Sequence, residues 1–299
     1  MTETRAGFVA LVGEPNVGKS TLLNCMVGAK ISTVTHKAQT TRFRIRGIAV
    51  EGSAQLVFVD TPGLFDPRSR LDKAMVGAAW KSTAEADIIL LMADAKTASS
   101  DGSHSIVDTL SERMRPGQKV ALALNKIDRA SPEELLRSAH ILGKQANFAA
   151  VFMISATKRD GVADVLSWLS DNVPPGPWLF PEDQVSDLPL RVIAAEVTRG
   201  RLMLRLHEEI PYRLTVLPES WTEQKDGSVR IGQVVHVERE SHKGMIIGQG
   251  GRVIRQVSAE SRREIGEFLG RQVHLFLRVK VRPGWEDEVS RFITSETPG

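Results

Sequence analysis

The sequence has little cysteine and lacks a long apolar run. Cys25 is the one cysteine among 299 residues, which excludes an internal disulfide and a cysteine-rich zinc cluster and fits a reducing compartment. The first residues contain no apolar run of signal-peptide length, and the most apolar stretch, residues 88–93, is far shorter than the ~20 residues that span a bilayer. We therefore expect a cytoplasmic protein, with peripheral contact to the inner face of the cell membrane left open.

The chain also lacks a strong charge of either sign. Its formal net charge is +3 and its pI is about 9.1, so the total charge does not indicate a nucleic-acid partner and the distribution matters more. With 299 residues, the chain is long enough for two domains.

The first part of the chain alternates strand-like and helix-like segments. Short apolar runs bounded by polar residues predict strands at residues 7–12, 45–50, 55–59, 87–92, 119–124 and 150–154. Helical patterns lie between them, as at residues 19–29 and 131–142. Such alternation predicts an α/β domain, residues 6–172, with a mostly parallel sheet covered by helices on both faces.

A proline-rich stretch then ends the alternation of predicted strands and helices. Residues 173–188 contain Pro174, Pro175, Pro177 and Pro181, which neither a helix nor a central strand accepts, so we interpret them as a linker. Beyond it, the patterns predict a small α+β domain, residues 189–290, and a tail, residues 291–299. Its predicted helices and strands lie at residues 189–209, 212–217, 229–237, 252–269 and 273–281.

The segment G-E-P-N-V-G-K-S, residues 13–20, follows a predicted strand and precedes a predicted helix. It fits G-x-x-x-x-G-K-[ST], in which backbone N–H groups and the helix N-terminus bind phosphates. Lys19 supplies a cation for the outer phosphates, and Ser20 supplies a hydroxyl ligand for Mg²⁺. The predicted nucleotide contacts here are Gly13, Glu14, Pro15, Asn16, Val17, Gly18, Lys19, Ser20 and Thr21.

A second motif, D-T-P-G at residues 60–63, comes at the end of a predicted strand. Asp60 is suited to hold Mg²⁺ through water, and Gly63 can offer its N–H to the terminal phosphate. We include Thr61 and Pro62 in the predicted nucleotide site. D-x-x-G occurs by chance in many loops, but together with the phosphate loop it becomes specific.

Two further motifs indicate selection of the base. Asn125, Lys126 and Asp128 form N-K-x-D directly after a predicted strand. A carboxylate such as that of Asp128 accepts hydrogen bonds from guanine N1–H and N2–H₂, which adenine cannot offer. Taken alone, the motif is equally compatible with a polar helix N-cap. Ser155 and Ala156 follow another strand, and their backbone is predicted to contact the guanine O6.

These motifs occur in one order, each after a predicted strand, and residues 6–172 thereby resemble the Era group of GTPases. The resemblance implies that residues 36–42 form the first switch, with Thr41 binding Mg²⁺ and the γ-phosphate and Thr40 as the alternative. It also implies that Glu14, at a position where Arg or Lys is more common, points outward with little effect.

Leu64 lies where many nucleotide hydrolases of this kind have a water-orienting glutamine. GTPases with a hydrophobic residue here rely on other groups, and several use a K⁺ ion bound by a phosphate-loop asparagine, which matches Asn16. The alternative is that Asn16 only hydrogen-bonds the switch backbone. We expect a slow, K⁺-stimulated GTPase in which Lys19, Thr41 and Asn16 serve catalysis. Phe65 receives no role.

The segment around Gly248 and Gly251 resembles the G-x-x-G loop of a type II KH domain, which clamps single-stranded nucleic acid. Between Arg239 and Arg282 there are ten lysines or arginines and four glutamates, a balance of +6. The alternative is a basic helix face that only aids solubility. Lys243, Arg252 and Arg255 are the predicted phosphate contacts. The predicted base-binding floor and loop comprise Ile247, Gly248, Gln249, Gly250, Gly251 and Ile254.

A GTPase domain, a linker and a KH module in this order resemble the Era family to about residue 290. The resemblance implies a monomeric, Mg²⁺-dependent ribosome-assembly GTPase that binds GTP, GDP and the 3′ end of 16S ribosomal RNA. Two alternatives remain at this point: a GTPase acting in RNA modification, and an RNA-binding protein whose nucleotide site does not hydrolyse GTP.

Overall fold

The structure is a computed structural model that describes residues 3–35, 37, 45–65, 67, 69–98 and 100–294. The chain forms two compact units. The first comprises Met1–Ile31 and Thr41–Asp187, and the second comprises Ser32–Thr40 and Leu188–Gly299. Within the described residues, no helix is both long enough and apolar enough to cross a membrane.

The first unit is built on a six-stranded sheet in the order β2-β3-β1-β4-β5-β6. Its strands are β1 (Arg5–Val12), β2 (Ile45–Glu51), β3 (Ala54–Asp60), β4 (Ile88–Asp94), β5 (Lys119–Asn125) and β6 (Ala150–Ile154). Its helices are α1 (Lys19–Val27), α2 (Arg70–Glu85), α3 (Asp101–Arg113), α4 (Pro132–Gln145) and α5 (Val162–Asn172). All neighbouring strands are parallel except β2 and β3, which confirms the predicted α/β class.

Local sequence signals explain where several of these helices begin. Ser131 accepts a hydrogen bond from the Glu134 N–H, and the Glu134 carboxylate accepts one from the Ser131 N–H, so the two residues form a capping box. Pro132 occupies the first turn, where its missing N–H costs nothing. Ser100 caps α3 in a similar way by accepting from the Ser103 N–H. Because β1, β3, β4 and β5 are parallel, the loops after them meet at one edge of the sheet.

The proline-rich stretch is packed along the first unit. The Gln55 side chain accepts hydrogen bonds from the N–H groups of Leu179 and Phe180, at 2.8 and 2.9 Å. The Ile48 N–H donates to the Val185 carbonyl at 3.0 Å. The part of this stretch from Leu179 to Val185 is therefore bonded to β2 and β3. The sequence predicted a linker here but gave no sign of this attachment.

The second unit has a three-stranded sheet in the order β7-β8-β9, in which β7 and β8 are antiparallel and β8 and β9 are parallel. Its elements are α6 (Leu190–Arg205), β7 (Leu214–Glu223), β8 (Val229–Val237), α7 (Glu240–Ile247), α8 (Arg252–Leu269), β9 (Val273–Val281) and α9 (Trp285–Thr294). This arrangement confirms the α+β prediction. The sequence reading did not identify α7 and α9, both of which are short.

The core of this second unit contains an isolated polar side chain. Ile231 and Val235 of β8 belong to two separate groups of buried apolar residues, and Gln233 lies between them with 0% exposure. Neither the amide oxygen nor the amide nitrogen of Gln233 has a hydrogen-bond partner in the described part of the chain. A buried amide without partners destabilises a core.

Helix α6 carries a buried ion pair and receives the segment that precedes the predicted switch threonines. Arg199 and Glu196 are 0% and 2% exposed, and their charged groups approach to 2.6 Å. The Thr33 hydroxyl donates to the Glu196 carbonyl at 2.9 Å. A Cβ atom on Gly200 would lie 2.2 Å from the Thr33 methyl group, so glycine is required for this close approach.

Candidate nucleotide and RNA sites

The phosphate loop depends on its glycines. Gly13 has φ 151°, and a Cβ atom there would lie 2.3 Å from the Met92 carbonyl oxygen. Gly18 has φ 104°, and its Cβ would lie 2.3 Å from the Asn125 side-chain nitrogen. Asn16 also adopts positive φ, at 65°, and is exposed. The loop therefore needs the glycines of its motif both for backbone conformation and for space.

Lys19 is buried and held by the loop itself. Its Nζ donates to the carbonyl oxygens of Gly13 and Glu14, both at 2.9 Å. Burial lowers the pKa of Lys19 from an ordinary 10.5 to about 8, although the carboxylates of Asp60 and Glu14 act in the opposite direction. Lys19 therefore loses its proton at a lower pH than a solvent-exposed lysine does.

Asp60 and Ser20 bring two oxygen donors together. Asp60 ends β3 and is 0% exposed, and the Ser20 hydroxyl donates to its Oδ2 at 2.8 Å. The next residue, Thr61, donates its hydroxyl to the Leu11 carbonyl at 2.7 Å, which ties the loop to β1. A hydroxyl and a carboxylate in contact are the hard oxygen ligands that Mg²⁺ prefers, so these residues fit the ion.

The segment after Asp60 packs on the phosphate loop. A Cβ on Gly63 would lie 2.9 Å from the Pro15 backbone, and the Leu64 N–H donates to the Gly13 carbonyl at 3.1 Å. The Leu64 side chain is 4% exposed and belongs to the hydrophobic core of the first unit. Leu64 is thus a core residue, which the sequence interpretation had discounted. Phe65 is half-buried.

Asn125 connects the phosphate loop to the loop after β6. Its side-chain nitrogen donates to the Val17 carbonyl at 2.7 Å, and its side-chain oxygen accepts from the Ala156 N–H at 3.0 Å. Lys126, with φ 67°, donates to the Asn16 carbonyl at 2.7 Å and pairs with Asp94 at 2.8 Å. The structure thus brings three of the predicted motifs together.

Asp128 is positioned by a residue of another predicted motif. The Ser155 hydroxyl donates to Asp128 Oδ1 at 2.6 Å, and this hydrogen bond is the largest cause of the lowered pKa of the Asp128 carboxyl. The lowered pKa favours the ionised carboxylate, which is the form that the predicted contact with guanine requires. The Ala156 N–H, predicted to contact the base, is bonded to Asn125 in this structure.

Glu14 differs from its prediction. Its side chain is half-buried, and its Oε2 accepts hydrogen bonds from the hydroxyls of Ser100 and Ser103, at 3.0 and 3.1 Å. The expectation that this side chain points outward is therefore wrong. Ser100 and Ser103 are residues that the sequence reading missed, because their one visible signal was the helix N-cap at Ser100.

The remaining predicted nucleotide residues divide into two groups. Val17 and Pro62 are buried and Thr21 is half-buried within the same loops. Thr40 and Thr41, the alternative switch threonines, lie outside the described residues.

The glycine-rich segment of the second unit forms a tight turn between α7 and α8. Gly248 has φ 71° and ψ 168°, and a Cβ there would lie 2.5 Å from the Val253 side chain. Gly250 and Gly251 also have positive φ, at 59° and 77°. Only glycine adopts the Gly248 conformation without strain, so the sequence G-x-x-G is explained by the backbone.

The residues beside this turn have the exposure expected of a binding surface. Ile247 and Ile254 are half-buried, whereas Arg252, Arg255 and Gln249 are exposed. Lys243 is half-buried and lies 3.5 Å from the Glu240 carboxylate on the same helix. The N-terminus of α8, which begins at Arg252, adds the positive end of a helix dipole to this surface.

Comparisons with known proteins agree on both units. A family described as 50S ribosome-binding GTPase matches residues 8–126, and a KH domain family matches residues 209–286. The chain is 61% identical to GTPase Era of Dinoroseobacter shibae over 97% of its own length and 94% of that protein. It is 52% identical to GTPase Era of Rhizobium meliloti over 97% of its length and 91% of that protein.

Two solved structures are similar to both units at once. One is a variant of Aquifex aeolicus Era bound to GDP and AlF4⁻, with a TM-score of 0.90 and 34% identity. The other is Era in complex with MgGDPNP and nucleotides 1506–1542 of 16S ribosomal RNA, with a TM-score of 0.90 and 35% identity. Each similarity covers 97% of this chain and 99% of the other.

Proposed function

The chain belongs to the GTPase Era family, and on this premise we propose that it is a GTP-controlled switch that binds the 3′ region of 16S ribosomal RNA and assists assembly of the small ribosomal subunit. The observation that carries the proposal is the presence, in one chain, of connected nucleotide loops and a G-x-x-G turn at the start of α8. Among the residues that the structure describes, no feature favours either alternative from the sequence.

The phosphate loop is proposed to bind the phosphates through its backbone N–H groups and Lys19. Mg²⁺ supplies charge neutralisation at the outer phosphates when it is bound. Ser20 and Asp60 are the proposed protein-side ligands or water-holders for the ion, together with Thr41 or Thr40. The contact between Ser20 and Asp60 supports this assignment, because it places two oxygen atoms that can ligate Mg²⁺ side by side.

Asp128 is proposed to select guanine, and a single substitution tests this. In Asp128→Asn the amide oxygen can still accept the hydrogen bond from Ser155. The amide nitrogen, however, replaces the second carboxylate oxygen, so a hydrogen-bond donor stands where guanine needs an acceptor. Affinity should shift from GTP toward XTP, measured by competition against a fluorescent nucleotide. Asp160→Asn, a neighbouring change of the same type, is the matched control. An Asp128→Asn protein that keeps its preference for GTP would remove this residue from base selection.

The proposal of K⁺ stimulation rests on Asn16 and Leu64. The Asn16 side chain is exposed at the phosphate loop, and the Leu64 side chain is committed to the core. We therefore propose that a K⁺ ion bound by Asn16 assists hydrolysis, which remains slow without it. Hydrolysis should be faster in KCl than in NaCl, and Asn16→Ala should bring the ratio of the two rates to one. Equal turnover of the unmodified protein in both salts contradicts the proposal.

The G-x-x-G turn is proposed to hold the RNA backbone, with Ile247 and Ile254 as a floor for bases. Gly248→Asp combined with Gly251→Asp should abolish binding of a fluorescent RNA corresponding to nucleotides 1506–1542, measured by anisotropy. The control is Gly77→Asp with Gly143→Asp, which adds the same charge at two helical glycines with open space around them.

A second RNA experiment leaves the turn intact. Arg252 and Arg255 are exposed, so their replacement by alanine should preserve the fold. If each contacts one phosphate of single-stranded RNA, the slope of log affinity against log salt should decrease by about 1.4 for the double variant. An unchanged slope would place the phosphates elsewhere.

The switch is proposed to act through the segment after α1. Thr33 packs against Gly200 and bonds to α6, and this segment leads directly to Thr40 and Thr41. When GTP orders the switch threonines, the position of Thr33 against α6 should change. The nucleotide state would thereby be transmitted to the second unit. Thr33→Ala should reduce the difference in RNA affinity between the GTP-bound and GDP-bound protein.

Two further parts of the proposal concern assembly and location. We propose a cytoplasmic monomer, which light scattering after size-exclusion chromatography tests. Peripheral contact with the inner face of the membrane is a hypothesis that cell fractionation can examine.

A further inference from the structure

Glu14 makes a connection that the nucleotide motif does not require. The phosphate loop extends a carboxylate to the start of α3, where Oε2 accepts from the hydroxyls of Ser100 and Ser103. Ser103 is 7% exposed, so this hydrogen bond is largely shielded from water. Hydrogen bonds to a charged acceptor are stronger than neutral ones. Burial strengthens them further, because the surroundings are less polar than water.

Gly102 gives this carboxylate its space. A Cβ atom on Gly102 would lie 1.8 Å from Glu14 Oε1, so any other residue would displace the carboxylate. Gly102 lies in the first turn of α3 with an ordinary helical φ, where alanine is the better helix former. The glycine therefore serves the contact with Glu14 rather than the helix. The positive end of the α3 dipole further favours a negative group at this place.

We propose that Glu14 is a positioning residue, which anchors the phosphate loop to the N-terminus of α3 and keeps its own negative charge away from the phosphates. This inference rests on the proposed nucleotide site. The same residue also contacts Lys19, whose Nζ donates to the Glu14 backbone carbonyl at 2.9 Å. Release of the carboxylate would leave a mobile negative charge beside the N–H groups that bind phosphate.

A double-mutant cycle between Glu14 and Gly102 tests the proposal. Gly102→Ala should weaken the affinity for a fluorescent GTP analogue about tenfold, the order expected for loss of a charge-assisted hydrogen bond. Single-turnover hydrolysis at saturating GTP should change less than twofold, and thermal stability should stay the same or rise. In a Glu14→Ala background, Gly102→Ala should have no further effect on affinity, because the carboxylate to be displaced is gone.

Controls separate the anchor from general effects. Gly143→Ala replaces another helical glycine with open space around it and should leave the affinity unchanged. Glu14→Gln keeps an oxygen that Ser100 and Ser103 can donate to, so it should recover most of the affinity that Glu14→Ala loses. Equal affinity of the unmodified protein and Gly102→Ala would overturn the anchor, as would additive effects in the cycle. Failure of the unmodified protein to bind the analogue would instead contradict the nucleotide site itself.

Discussion

Nucleotide affinity should fall as the pH rises through 8, because Lys19 loses its proton there. With a pKa of about 8, Lys19 is ~90% protonated at pH 7 and ~10% protonated at pH 9. Phosphates bind the ammonium form, so the Kd for GDP should rise about tenfold between these pH values, which corresponds to ~1.4 kcal/mol. A lysine with an ordinary pKa of 10.5 would stay charged, and the affinity would not change.

The assay is a titration with a fluorescent GDP analogue at pH 7, 8 and 9 and constant ionic strength. Lys19→Arg is the control, because the guanidinium remains charged at all three values. Any titration of the nucleotide itself should appear equally in both proteins. A Kd of the unmodified protein that is constant from pH 7 to 9 would refute the reasoning, and so would an equal rise in Lys19→Arg.

The stability of the nucleotide-free protein should rise as the pH rises above 8, whereas its affinity for nucleotide should fall. The folded-state pKa of Lys19, about 8, lies below the unfolded value of 10.5, so the unfolded chain binds more protons between these pH values. Stability therefore rises with pH from about 8 to about 10.5, and the cost of burying the charge is fully present below pH 8. The whole effect is on the order of 3 kcal/mol, and denaturant unfolding of the unmodified protein and Lys19→Arg would measure it.

Three other substitutions have defined outcomes. Gln233→Met should stabilise the protein by ~1 kcal/mol in thermal unfolding, because it removes a buried amide that has no partner in the described residues; a lower melting temperature would indicate a partner. Arg199→Met should destabilise by ~3 kcal/mol in urea, since it leaves Glu196 buried without its ion pair, and Glu196→Gln in the same chain should restore part of the loss. Gly63→Ala should slow single-turnover GTP hydrolysis at least tenfold and also lower the melting temperature, because its Cβ would lie 2.9 Å from the Pro15 backbone and one of the two loops must shift; an unchanged hydrolysis rate would contradict this.

The sequence predicts the nucleotide loops well because their arrangement follows from topology. Once the strands before Gly13, Asp60 and Asn125 are recognised as parallel, the loops after them must meet at one edge of the sheet. The G-x-x-G turn is equally predictable, since the positive φ of Gly248 is a local property of the backbone. Neither inference needs knowledge of distant contacts.

Contacts between residues far apart in the chain could not be predicted in this way. Ser100 and Ser103 are 86 and 89 residues from Glu14, and no local pattern links them. The burial of Leu64 is hard to predict for a related reason. Its position in the motif suggests comparison with a catalytic glutamine, whereas its side chain packs against core residues that are distant in the sequence. Side-chain partners of this kind become visible only when the sheet and its helices are assembled.

The two bonds of the Asn125 side chain also bear on how this protein could be re-engineered for another nucleotide. This one buried amide is bonded both to the phosphate loop at Val17 and to the loop after β6 at Ala156, which is proposed to contact the base. A change at Asp128 alters which base is preferred and leaves that shared amide in place. A change at Asn125 would loosen both parts at once, so it should shorten the residence time of every nucleotide, whichever base it carries.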